Sequence, residues 1–275
     1  TVFQMSEEMF FLHYGKDGCN RHVLIDECRE LFGEIYEQIP ELPFCNIWTA
    51  MQLSSRLPKG ALFHMGVSNT RRCWNMFQLP ESVESACNVG CCGIDGCVST
   101  LVGASLVNPD RLCYVVVGDL TFFYDLNSLG NHHIGTNLRV MLVNNGRGTE
   151  FRLGIHHCNV FGDDADKYMA AAGHFGNKSP LLVKHYAEDL GFHYLSATTK
   201  EEFMTALSNF TNPQLSDHSM ILEVFTDSKD ESEALYLMSH IQSDAKGMVR
   251  SKLKDAVRNV AGEKGINAIK KILKK

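Results

Sequence analysis

Between residues 21 and 56 apolar side chains recur at helical spacing, with Val23, Cys28, Leu31, Ile35 and Tyr36 on one stripe and Ile47, Met51 and Leu53 resuming it. The spacing predicts helix on either side of Pro40 and Pro43, whose rings interrupt it. From residue 61 the pattern changes to short runs that are apolar at nearly every position, at 61–65, 112–117, 138–143, 192–195 and 220–225, separated by turns and helical segments. A strand with no polar face must be covered on both sides, so these runs predict an α/β fold: a doubly wound parallel sheet with helices on both faces. From about residue 245 a last helical stretch carries Val249, Leu253, Val257, Val260, Ile266, Ile269, Ile272 and Leu273 among lysines and arginines, and Gly262 and Gly265 divide it. The organisation expected is a helical lead-in at 1–58, a main domain at 59–230 and a basic amphipathic tail at 231–275.

With 275 residues, 44% of them hydrophobic, the chain can bury a sizeable core. Its formal charge of −6 argues against a general nucleic-acid binder, which needs a basic face to neutralise phosphates. The charge is unevenly spread, because ten Lys or Arg face three acids from Asp244 to the end. Such a tail can lie on a membrane surface, dock on a partner subunit or pack on its own domain. Several of the ten cysteines (Cys87, Cys91, Cys92, Cys97 and Cys113) lie beside apolar runs, which reads as small buried residues in a reducing, cytoplasmic setting. No run reaches the roughly 18 apolar residues of a membrane span, and the start lacks a signal-peptide pattern. Because the chain begins at Thr1, a processed chain or a domain of a longer polypeptide is expected.

Two strand ends carry the chemistry. The run Val115-Val116-Val117 leads into Gly118-Asp119-Leu120-Thr121 and an expected helix, and Val140-Met141-Leu142-Val143 leads into Asn144-Asn145-Gly146-Arg147-Gly148. In open parallel sheets ligands collect at the carboxyl ends of strands near a switch in strand order. Asp119 offers a carboxylate oxygen, Asn145 an amide oxygen, and the glycine-rich turn can present a carbonyl near Arg147. These hard ligands leave room for phosphate oxygens and water, as Mg²⁺ requires. The helix after Leu120 would aim its free N–H groups at the same phosphates, with Thr121 either capping it or donating its hydroxyl. Gly-Asp and Asn-Asn-Gly are each common turns by themselves. A dinucleotide-binding Rossmann domain is disfavoured because no strand is followed by Gly-x-Gly-x-x-Gly, and no Walker-type Gly-Lys-Ser/Thr is present.

Gly118-Asp119 with Asn145 26 residues after the aspartate resembles the thiamine diphosphate signature. Together with Gly93-Ile94-Asp95-Gly96 and the run from Gly118 to Asn127, the text resembles one branch of these enzymes over about residues 60–225. That branch is the 2-succinyl-5-enolpyruvyl-6-hydroxy-3-cyclohexene-1-carboxylate synthases of menaquinone biosynthesis, and the stretch corresponds to their diphosphate-binding domain. The resemblance implies thiamine diphosphate and Mg²⁺ as cofactors. Gly93, Ile94, Asp95, Gly118, Asp119, Leu120, Thr121, Asn145 and Gly148 would border the cofactor, and Asp119, Asn145 and the Arg147 carbonyl would hold the metal. Ile94 would wedge between the cofactor's two rings and keep it bent. Ser68 and Arg72 would hold the distal carboxylate of a 2-oxo acid, 2-oxoglutarate, with Phe151 near the reacting centre. Two departures stand out: Glu150 occupies an aliphatic position of the family, and Val89 replaces a second arginine.

The activity implied is decarboxylation of a 2-oxo acid and transfer of the acyl carbanion to an acceptor. The glutamate that protonates the cofactor's aminopyrimidine belongs to a pyrimidine-binding domain, for which residues 1–60 are too short, so a separate domain or subunit is expected to supply it; no catalytic residue is assigned to this chain. Family enzymes share their cofactor between subunits, so a homo-oligomer with an exposed apolar face around Ile94 and Phe122 is expected. An acetolactate synthase-like carboligase or a decarboxylase acting on another acid stays open, favoured by Val89 and Glu150, as does a non-catalytic subunit that keeps the fold. The pairs His132-His133 and His156-His157 are expected to point apart and hold no metal, and Cys91-Cys92 to serve packing.

Overall fold

The computed structural model describes Met9 and residues 23–90, 92–154, 156–177 and 179–241. The tail expected from about residue 245 lies outside the described residues. The described residues fall into two compact units, divided after Pro40. In the first, helix α1 (Val23–Glu37) leaves Ile25, Leu31 and Phe32 about half exposed.

The second unit is an α/β sandwich. Its strands are β1 (Leu62–Met65), β2 (Glu84–Cys87), β3 (Cys113–Gly118), β4 (Leu138–Asn144), β5 (His193–Ala197) and β6 (Met220–Phe225). Its helices are α2 (Asn46–Ser54), α3 (Asn69–Trp74), α4 (Cys97–Val107), α5 (Asp119–Asp125), α6 (Asp163–Tyr168), α7 (Leu182–Asp189), α8 (Lys200–Phe210) and α9 (Ser228–Ser239), with short 3₁₀ turns between. The six strands are all parallel in the order β2-β1-β3-β4-β6-β5. Every residue of β4 is buried. Alternate residues of β3 serve opposite faces: Val115 and Val117 pack on Val98, Leu101 and Val102 of α4, whereas Tyr114 meets Phe210 of α8 at 5.5 Å. Both faces are therefore covered, the doubly wound arrangement that the unbroken apolar runs predicted.

Five strands coincide with the apolar runs. The sixth, β2, was not legible, because Glu84, Ser85 and Ala86 are exposed on an edge strand and leave no apolar signature. Phe122, expected on an exposed face, is 1% exposed and belongs to the core with Val183 and Phe192. α5 turns that ring beneath the sheet end, and Tyr124 takes the outward position. His132 and His133, expected to point apart, have ring centroids 3.8 Å from each other, because they occupy a turn after a 3₁₀ segment and strand or helix geometry does not apply. No group of His, Cys, Asp and Glu suited to a metal occurs among the described residues. Cys97 and Cys113 are fully buried as expected, whereas Cys92 is exposed.

Candidate functional site

The chain proceeds from β1 outward to β2 and returns to β3 on the other side of β1, so the strand order switches between β1 and β3. A crevice must open there beyond the carboxyl ends, because the following connections leave in opposite directions. A cavity of about 320 Å³ occupies that position, bordered by residues after β1, β3 and β4. Val67 and Ser68 come from the first, Gly118, Asp119, Leu120 and Thr121 from the second, and Asn145, Arg147, Gly148 and Phe151 from the third, with Ile94 facing them.

Asp119 is 3% exposed. Its Oδ1 accepts the Leu120 N–H at 2.8 Å, and its Oδ2 lies 2.9 Å from His174 Nε2. Each carboxylate oxygen keeps a lone pair, so these contacts orient the group without exhausting it. The helix begins at Asp119 itself, which corrects two expectations: Thr121 lies inside the first turn and caps nothing, and the Leu120 N–H is taken by Asp119.

Strand alternation separates the two asparagines at the end of β4. Asn144 turns into the core and donates to Glu223 Oε1 at 2.8 Å, while the Tyr194 hydroxyl donates to Glu223 Oε2 at 2.7 Å. Burial pushes the Glu223 carboxyl up. Asn145 turns toward the cavity, where its Oδ1 receives only a long 3.4 Å contact from the Arg147 N–H. Gly146 between them has φ of +78°, a left-handed conformation that a side chain would strain. The Arg147 carbonyl accepts the Thr149 N–H at 2.9 Å and keeps its second lone pair. At Gly148 a Cβ would come within 3.1 Å of Leu120 and Phe151, so the bare backbone is what lets the turn lie against α5.

Residues the sequence did not single out complete the arrangement. The segment 165–174 folds over the β4 turn: the Gly148 N–H donates to the Ala170 carbonyl at 2.6 Å and the Gly173 N–H to the Gly146 carbonyl at 3.1 Å. Asp166 accepts both contacts from Arg147 Nη1, at 3.0 and 3.1 Å, and this folding brings His174 to Asp119. Nothing local marks His174, because its role depends on a contact across 55 positions. Asn46, also at the cavity, accepts the Trp74 indole N–H at 2.9 Å. A buried carboxyl, Glu231, receives the Asn46 N–H at 3.0 Å.

The remaining sequence candidates divide. Ile94 borders the cavity, but its neighbours Gly93 and Asp95 do not, and Asp95 is exposed. Ser68 sits at the N-cap position of α3 with φ of +58°, yet its side chain caps nothing and is exposed at the cavity. Arg72 does not border it. Its guanidinium is held by Glu150, with Nε 3.1 Å from Oε2 and Nη2 2.7 Å from Oε1, and it borders a second, more apolar cavity of about 350 Å³ with Met76, Leu153, Leu235 and Tyr236. Val89 is exposed and borders neither cavity.

The oxygen set suits Mg²⁺: a buried, oriented carboxylate, an amide oxygen aimed at the cavity and a backbone carbonyl with a free lone pair, with glycines where phosphate oxygens would need room. Among the described residues no helix is long and apolar enough to cross a membrane.

No family model matches the chain. The chain is similar to proteins named 2-succinyl-5-enolpyruvyl-6-hydroxy-3-cyclohexene-1-carboxylate synthase, in line with the resemblance read from its motifs. It is 34% identical to that of Bacteroides fragilis over 196 residues, 71% of this chain and 34% of the relative. With that of Phocaeicola vulgatus it shares 34% identity over 200 residues, 72% of this chain and 34% of the relative. The protein of Christiangramia forsetii is 33% identical over 199 residues, 72% of this chain and 33% of the relative. The chain thus spans about a third of the length of the curated relatives it matches.

Proposed function

We propose that this chain is the diphosphate-binding part of a thiamine diphosphate- and Mg²⁺-dependent enzyme that decarboxylates a 2-oxo acid and transfers the acyl carbanion to an acceptor. The observation that carries this reading is that Asp119, Asn145 and Arg147, from two strand ends, border one cavity at the sheet's switch point with Ile94 facing them. Similarity to synthases of the same name supports it. Asp119 and Asn145 would ligate the metal through side chains and Arg147 through its carbonyl. Ile94 would support the bent cofactor, with Gly93 and Asp95 beside it. Gly118, Leu120, Thr121 and Gly148 would border the diphosphate. Thiamine diphosphate supplies the electron sink for the carbanion left when CO₂ departs. The role of this chain's residues is to hold the metal, orient Asp119 through His174 and exclude water behind Leu120 and Phe151.

On this reading the pyrimidine-contacting glutamate comes from another domain or subunit, and the whole assembly is a homo-oligomer. The name that the relatives carry supports the synthase branch that the resemblance ties to menaquinone biosynthesis. Ser68, Arg72 and Phe151 are where this chain's oxo acid would be chosen.

Titration calorimetry of the full chain with thiamine diphosphate tests the proposal. Binding should require Mg²⁺ and should be lost on chelation, and Asp119→Ala should weaken it by roughly 10- to 100-fold or more. Binding that ignores both the metal and Asp119 would sink the reading.

A further inference from the structure

Among the described residues, the two arginines that border the cavities, Arg147 and Arg72, are each engaged by a carboxylate of the chain itself. Arg147 is tied to Asp166, which Arg152 also approaches at 3.5 Å. The Arg72–Glu150 contact has the two-pronged form in which a guanidinium recognises a planar carboxylate. Glu150 borders the 320 Å³ cavity and Arg72 the 350 Å³ cavity, so the pair stands in the wall between them. The Glu150 side chain is 13% exposed against 39% for Arg72. The negative partner therefore faces the protected side, and the guanidinium lies behind it.

A ligand carboxylate arriving beside Phe151 would meet Glu150 before Arg72. To reach the fork it would have to expel a largely buried carboxylate and leave that charge unpaired, which is costly in a shielded setting. An uncharged tail meets no such obstacle, because Val67, Ile94, Leu120 and Phe151 present apolar surface on the same cavity. We propose that the Arg72–Glu150 pair makes this site select a 2-oxo acid with an uncharged, apolar tail and reject a 2-oxo dicarboxylate. Glu150 is the specificity-determining residue: it fills the fork with the chain's own carboxylate. This inference rests on the proposed 2-oxo acid chemistry and fixes its substrate class, so that 2-oxoglutarate is not the acid this chain accepts.

The test is binding of 2-oxopentanoate and 2-oxoglutarate, which differ by a terminal methyl against a carboxylate. Ligand-observed NMR would follow both on the full chain with Mg²⁺ and thiamine diphosphate. The native chain should prefer 2-oxopentanoate by roughly tenfold or more. Glu150→Gln should reverse the order, and adding Arg72→Gln to it should remove the gain for the dicarboxylate. Preference of the native chain for 2-oxoglutarate, lost in Arg72→Gln alone, would overturn the proposal by showing that the pair opens for substrate. Failure of either acid to bind, or an order unchanged by Glu150→Gln in a protein with a native circular dichroism spectrum, would also overturn it. Calorimetry with Mg²⁺ and thiamine diphosphate on the same samples separates the two readings: intact cofactor binding with the wrong acid preference faults only the role of Glu150, and absent cofactor binding faults the broader function.

Discussion

Glu231 shows how a single side chain can record the competition between burial and charge. Its Oε1 accepts the Asn46 N–H at 3.0 Å and the Thr226 hydroxyl at 2.6 Å, while Oε2 is buried without a partner. Burial, reinforced by the charges of Asp119 and Asp230, pushes this carboxyl from its ordinary 4.5 up to about 7. The folded chain therefore keeps a proton that the unfolded chain releases at lower pH. The stability tied to that proton is fully present below pH 4.5 and is lost as pH rises through about 7, a change of roughly 3 kcal/mol. Gln at this position keeps the acceptor for Asn46 and Thr226 but cannot ionise. Urea denaturation should show Glu231→Gln more stable than the native chain by about 1–3 kcal/mol at pH 8, with the difference shrinking toward pH 5. Equal pH dependence in the two proteins would show that Glu231 is not the group responsible. The same scale separates what residues reveal in sequence. Asp119 and Asn145 were legible because each sits where a predicted strand ends. His174, Asn46 and Glu231 were not, since their importance lies in partners that only folding brings near.

Between elements, the site depends on how closely β1 can approach β3 at the switch point. Gly66, just past β1, donates its N–H to the Val116 carbonyl at 2.7 Å. A Cβ there would lie 3.1 Å from that carbonyl oxygen and 3.4 Å from Val117 Cα, backbone atoms that cannot rotate aside. Gly66→Ala should therefore cost about 1–3 kcal/mol in urea denaturation, and the displaced strand end should weaken Mg²⁺-dependent cofactor binding. Gly103 in α4 supplies the contrast, because nothing lies within 4 Å of its Cβ position. Gly103→Ala should be neutral or stabilising by about 0.5–1 kcal/mol. A Gly66→Ala protein as stable as Gly103→Ala would rule out close strand approach as the reason for glycine. Apolar runs announced β3, β4 and β6 most plainly, because both faces of these inner strands are covered, whereas β5 at the other edge is largely half-exposed. The edge strand β2 carries exposed Glu84, Ser85 and Ala86 and gave no such signal.

At the scale of the whole molecule, the homo-oligomer implied by a shared cofactor needs apolar surface near the cavity. It was expected around Ile94 and Phe122, but Phe122 is in the core. Val160 at 58% and Phe161 at 55%, which precede the segment that folds over the β4 turn, and Tyr168 within it at 78%, are exposed instead. Exposed apolar side chains this close in sequence are the candidate surface for such an association. Sedimentation velocity should show the chain above monomer mass at high concentration, and Phe161→Ser combined with Tyr168→Ser should return it to monomer. Association unchanged by the double substitution would place the interface elsewhere.

By itself the sequence determined the doubly wound sheet, because two-sided burial writes an unbroken apolar run into each inner strand. It also marked Asp119 and Asn145 together, because each follows a predicted strand at βαβ spacing, and both border one cavity. The tertiary structure decided what each residue is free to do. Arg72 read as an open carboxylate receptor, and only folding revealed Glu150 in its fork across 78 positions. Ser68 read as a carboxylate contact, and folding puts it at the N-cap position of α3, where its side chain caps nothing. Local patterns encode burial and turn chemistry, whereas an ion pair or a proton's affinity depends on distances that no spacing along the chain contains.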